Sequence, residues 1–171
     1  MRKLWLSLLL SPMLLMAQKN YPVPQPSQAP GQSSTQQENP PFAQQRAQLE
    51  EGIKHVLVSQ VEAWNHGQLE AYMNGYWRSP DLTFFSGATV TKGWEPTLER
   101  YRRRYKSGGK QMGHLEFQDL EIDLLSRRSA VVTGKWQLTM SDGKKPHGLF
   151  TLIFKRFPEG WRIVHDNTSA E

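Results

Sequence analysis

The apolar positions of this chain follow two rhythms, a slow one and then a fast one. Leu49, Ile53, Val56, Leu57, Gln60, Val61 and Trp64 recur every three or four residues, which predicts one long amphipathic helix. Gly67 sits where a left-handed cap would end it. A second, shorter helix is predicted with Leu69, Tyr72, Met73 and Tyr76 on one side, stopped by Ser79-Pro80-Asp81. Residues 82–86 then read as a strand, Gly87-Ala88 as a tight turn and residues 89–92 as the returning strand. Gly93-Trp94-Glu95-Pro96 opens a third helix, since Pro is tolerated in a first turn. Leu98, Tyr101 and Tyr105 take its inner face, and Arg100, Arg102, Arg103 and Arg104 the remainder.

From there the period is two. Leu115 and Phe117 are odd-numbered, but Leu120, Ile122 and Leu124 are even. A strand changes its buried face only by inserting a residue, so a β-bulge is predicted near Gln118-Asp119. Arg127-Arg128 turns the chain, and Ala130, Val132, Trp136, Leu138 and Met140 share a face. Asp142-Gly143 marks a hairpin. Leu149, Phe150, Leu152, Ile153 and Phe154 are apolar on both faces, as in a central strand, and residues 161–168 form the last strand. The order predicts an α+β fold in which a strongly bent antiparallel sheet wraps a long N-terminal helix. The mouth between helix and sheet is the natural pocket.

The residues before this pattern belong to a different class. Met1-Arg2-Lys3 is basic, residues 4–16 are mostly Leu, Trp and Met, and Met16-Ala17-Gln18 follows. That run is short for a membrane span and has the three parts of a signal peptide at 1–17. Leu15 is large for its place before the cut, so cleavage and retention as an anchor both stay open. Residues 18–41 are rich in Pro, Gln and Ser and read as a disordered, semi-stiff linker. The folded domain is expected at 42–171, in an exported protein, periplasmic or secreted. The formal charge of +5 includes Arg2 and Lys3, which lowers the mature charge to +3 (5 − 2), so global charge argues only weakly for nucleic acid and no nucleic-acid partner is expected. Cysteine is absent, which excludes disulfides, thiolate metal sites and cysteine nucleophiles.

Two segments, Val61-Glu62-Ala63-Trp64-Asn65-His66-Gly67 and Gly160-Trp161-Arg162-Ile163-Val164-His165-Asp166-Asn167-Thr168-Ser169, together with the order of elements, carry a resemblance. Over residues 43–169 the chain resembles the nuclear-transport-factor-two-like superfamily, and within it the SnoaL-like and ketosteroid-isomerase-like small domains. The last strand is also similar to the association domain of calcium/calmodulin-dependent protein kinase. The resemblance implies a cone-shaped fold, a pocket in the cone and a homodimer packed through the outer sheet face. It implies no single function, because the superfamily includes isomerases, cyclases, dehydratases, hydrolases and binding modules. The terminal motif often carries a second His where this chain has Asn167.

Alternation on the last strand puts Trp161, Ile163, His165 and Asn167 on one face and Asp166 on the other. His165 is therefore the candidate acid or base facing the cone, beside the alternative of a hydrogen-bonded core histidine. Asp166 is expected to point outward, to a salt bridge or dimer contact. Trp64, Tyr76, Trp77, Tyr101, Tyr105, Trp136 and Asn167 are the candidate ligand-binding residues. Glu116, Asp119, Glu121 and Asp123 flank the bulge, so none is assigned inward as a base. The arginine cluster on the third helix reads as a solvated face, with an anionic ligand or acidic polymer as the alternative. His55, His66, His114, His147 and His165 lack metal-site spacing, and no phosphate loop or nucleophile elbow appears; no metal and no cofactor are expected. The reading is an exported domain binding a small, largely apolar ligand. The alternative is a cofactor-independent lyase, isomerase or hydrolase using His165. Whether the protein is an enzyme stays open.

Overall fold

A computed structural model describes residues 40–106, 108 and 112–170; the predicted signal peptide and nearly all of the predicted linker lie outside them. Helix α1 (Pro40–Asn65) opens inside the segment read as linker. Leu49, Ile53, Leu57, Gln60 and Trp64 are its buried stripe. The cap is a Schellman motif: Gly67 adopts φ +70°, Gly67 N–H bonds the Trp64 carbonyl, and Gln68 N–H bonds the Ala63 carbonyl. Helix α2 (Leu69–Met73) is a single short turn-and-a-half. Strands β1 (Thr83–Ser86) and β2 (Thr89–Lys92) form the hairpin, and α3 (Trp94–Tyr105) follows. Strands β3 (His114–Ser126), β4 (Ser129–Thr139), β5 (His147–Phe157) and β6 (Gly160–Thr168) complete the chain.

The six strands make one curved, unclosed sheet in the order β2-β1-β6-β5-β4-β3. Only β1 and β6 run parallel, and Tyr76 extends that junction by a parallel bridge to Ile163. β5 is interior, as its two-faced apolar pattern predicts, and its inward side chains Phe150, Leu152 and Phe154 are buried. The side chain of Asn65 ties α1 to the sheet by imitating a strand: Nδ2 donates to the Leu115 carbonyl and Oδ1 accepts from Leu115 N–H. Trp64 Nε1 donates to the Gly113 carbonyl just before β3. No helix of the described residues is long and apolar enough to cross a membrane.

The register slips at two informative places. The β3–β4 pairing shifts between Gln118 and Glu121, where Asp119 takes φ 52°, so the predicted bulge is present. Gly134 lies opposite, and a Cβ there would come within 3.2 Å of the Gln118 carbonyl oxygen and 2.7 Å of the Phe150 ring. The second slip is in β6. Ile163 pairs with Phe154 and His165 with Ile153, which leaves Val164 as the extra residue.

Candidate functional site

That second bulge exchanges the two faces of β6. Trp161 and Ile163 point inward as alternation requires, but beyond Val164 the inward residues are Asp166 and Thr168. The expected placement of His165 and Asp166 is therefore reversed. His165 is half-buried on the outer face, its Nδ1 2.6 Å from Thr83 Oγ1 and its ring edge-on to Phe85 at 4.9 Å. Asn167 follows it outward and is exposed. Trp77 also lies away from the cone: the residue before it, Tyr76, points inward in the bridge, so strand-like alternation turns Trp77 out onto Phe157, 5.5 Å away and nearly parallel.

The inner surface of the cone forms a cavity of about 90 Å³ between α1, α2, α3 and the sheet. Trp64, Tyr76, Tyr101, Tyr105 and Trp136 line it. Gln60, Tyr72, Phe84, Phe150, Arg100 and Arg104 join them. The rings are packed edge to face: Trp64 meets Tyr72 at 5.0 Å, Tyr105 at 4.9 Å and Tyr101 at 6.0 Å between centroids. Such contacts fix ring orientation. Gln60 is held by a bond from Nε2 to the Tyr72 carbonyl and packs against Gly75, where a Cβ would come within 2.5 Å of its amide carbon.

Behind this wall is a buried carboxylate. Asp166 is only 3% exposed, and no cationic side chain among the described residues pairs with it. Tyr76 donates its hydroxyl to Oδ2 at 2.7 Å, and the Thr168 hydroxyl donates to Oδ1 at 2.5 Å. Burial pushes the Asp166 carboxyl up to about 6, with the two hydroxyl donors opposing the shift. The Tyr76 and Tyr72 hydroxyls lie 3.4 Å apart, and the Tyr101 ring packs edge-on to that of Tyr72 at 5.5 Å. Burial first, and the Asp166 charge for each of them, hold all three phenols above their ordinary range. Because Tyr76 donates its hydroxyl proton to the ionised Asp166, it accepts from Tyr72. The carboxylate thus sets the direction of a hydrogen-bond chain reaching from the β6 bulge to the cavity wall. Glu116, Asp119, Glu121 and Asp123, the acids flanking the β3 bulge, are all exposed.

The rim of the cavity is stitched at the chain's far end. Trp136 Nε1 donates to the Ser169 carbonyl, Ser169 N–H donates to the Leu149 carbonyl, and Ala170 reaches the rim. Gly148 makes this possible, since a Cβ there would collide with the Ser169 carbonyl oxygen. A second, open groove of about 890 Å³ runs between α1 and β3, past Lys54, Val58, Val61 and Leu120. It gathers no buried polar group.

A SnoaL-like domain model matches residues 53–170, and the chain belongs to that family within the nuclear-transport-factor-two-like superfamily. A solved NTF-2 like protein of unknown function from Shewanella oneidensis MR-1 is 36% identical, with TM-score 0.66, over 70% of this chain and 98% of that one. A putative calcium/calmodulin dependent protein kinase II association domain from Xanthomonas campestris shares the fold at 17% identity and TM-score 0.56, over 70% of this chain and 85% of that one. A protein from Catenulispora acidiphila, solved in complex with S-DNPA, does so at 18% identity and TM-score 0.60, over 72% and 94%. No curated protein matches the chain.

Proposed function

We propose that this domain binds a small, largely apolar molecule inside the cone. The observation that carries the reading is the aromatic cavity itself, enclosed by oriented rings and backed by a single organised polar chain. Its volume of about 90 Å³ is well below the few hundred Å³ of drug-sized clefts, so the ligand is small. We further propose that the protein is exported to the periplasm or beyond by residues 1–17 and carried on the 18–41 linker. It pairs with a second copy through the outer sheet face. In support, that face presents Val90 and Leu149 at 53% and 57% exposure, with Phe85 and Ile153 half-buried between them. Native mass spectrometry of the full chain purified from its expression host tests the binding reading. A bound small molecule is expected, and it should be missing from Leu138→Phe, which adds bulk to the cavity lining. Purification of both forms empty, each at the mass of its bare polypeptide, would argue against it.

A second reading, cofactor-independent lyase, isomerase or hydrolase chemistry, is favoured by one observation. A carboxyl near 6 is poised to exchange a proton at neutral pH, and Tyr76 connects it to the cavity. His165 is turned away from that path. If the reading is right, the copurified molecule gains deuterium when incubated with fresh protein in D2O, and Asp166→Asn stops the exchange. Exchange that persists in the variant sinks the role of Asp166.

A further inference from the structure

Four arginines on α3 have different neighbours. Arg102 bonds Glu70 at 2.8 Å and approaches Glu99, and Arg103 lies 3.5 Å from Glu99. Arg100 and Arg104 fall one turn apart on another stripe of the helix and line the cavity instead. Neither forms an ion pair among the described residues. Both are held by rings of the cavity wall: the Arg100 guanidinium lies 5.5 Å from the Phe84 centroid and donates to Thr91 Oγ1, and that of Arg104 lies 5.6 Å from the Tyr105 centroid. Stacking on a ring orients a guanidinium but uses none of its in-plane donors. Among the described residues, these two cations with spare donors at the entrance of an aromatic cavity lack a counter-charge.

We propose that the ligand is a small monocarboxylate whose charged end is held at the mouth by Arg100 and Arg104, with its apolar body among Trp64, Tyr101 and Phe150. This rests on the cavity being the ligand site. Two features fix the orientation. The Asp166 carboxylate behind Tyr76 repels an anion from the deep end, and the tyrosine hydroxyl protons there are directed toward Asp166. Two features favour a single negative charge over a phosphate dianion. Both arginines lie in the C-terminal half of α3, where the helix dipole is negative, and among the described residues no helix N-terminus or turn of amides lines the mouth. A carboxylate is planar and fits the arginine fork without needing more positive charge.

The test titrates the full chain by calorimetry with pairs of equal shape: benzoate and benzamide, phenylacetate and phenylacetamide, hexanoate and hexanamide. In at least one pair the acid is expected to bind about tenfold or more tighter than the amide, the gain of one charge-assisted bond. Arg100→Gln and Arg104→Gln should each remove most of that preference and leave the amide's affinity unchanged. Arg103→Gln should keep it. Arg104 is exposed, so its variant keeps the fold even if Arg100→Gln disturbs Phe84, which circular dichroism will show. Amides binding as tightly as their acids would overturn the carboxylate while leaving the cavity reading intact. Acid preference surviving in the double variant would overturn the two arginines. Failure of every acid and every amide to bind would overturn the carboxylate and the cavity reading together.

Discussion

Strands β3 and β6 each carry an inserted residue at a register slip, β3 between Gln118 and Glu121 (besides a second slip at its hairpin end, between Leu124 and Ser126) and β6 at Val164, yet these two insertions do different things. In β3, the free edge of the sheet, the slip leaves Asp119 in the left-handed region and exposed, where its carboxylate pairs with Lys135 at 2.7 Å. Its effect is to bend an edge. In β6, between β1 and β5, the extra Val164 shifts every later side chain to the opposite face and delivers a carboxylate into the core. The same backbone device is a matter of curvature at the border of a sheet and a matter of chemistry in its interior.

The largest expected effect separates the strands by packing. Ile163, fully buried in β6 before its bulge, should cost about 2–5 kcal/mol of unfolding free energy as Ile163→Ala, read by chemical denaturation. Ile122, half-buried after the β3 bulge, should cost about 1 kcal/mol as Ile122→Ala, because less surface is lost. Equal losses would mean the two strands are anchored alike.

Next comes pH. The folded chain holds the Asp166 proton up to about 6, whereas an unfolded chain releases it near 3.8. Below both values the group is neutral in either state and contributes nothing. As pH rises through this window the folded state alone keeps the proton, so stability falls, and the loss is complete above about 6. Two pKa units correspond to about 3 kcal/mol. Stability measured at pH 4 and pH 7 should therefore drop by about that much more in the wild type than in Asp166→Asn. Parallel curves would show that Asp166 is not a buried acid.

The β3 bulge should answer to conformation instead. Asp119→Val, a β-branched residue forced to φ 52°, should cost about 1–2 kcal/mol, while Asp119→Gly should stay within about 1 kcal/mol of wild type. Smallest of all, His165→Ala loses the Thr83 bond and the Phe85 contact on the outer face and should cost about 1 kcal/mol. It should leave ligand affinity in the cone unchanged. A large affinity loss would restore His165 to the site.

These two bulges also show what could be read from the sequence. The one in β3 announces itself because the residues on either side are apolar, and Leu115 and Phe117 give way to Ile122 and Leu124 with a change of parity. In β6 the apolar residues end at Val164, the extra residue itself, and everything in the strand beyond it is polar. Hydrophobic alternation cannot register a change of face among His, Asp, Asn and Thr, so His165 and Asp166 exchange places unseen. The helices, the strand order of the hairpins and five of the cavity aromatics follow from spacing alone. Trp77 does not, because its direction depends on the bridge between Tyr76 and Ile163, which no local pattern encodes. Arg100 and Arg104 look like the rest of a solvated stripe until the partners of Arg102 and Arg103 are seen.

The tail of the chain carries a practical consequence. Ser169 is fastened between Trp136 and Leu149, and Ala170 stands at the rim of the cavity. Whatever is joined beyond that point leaves the domain at its doorway. An affinity tag fused there would crowd the entrance.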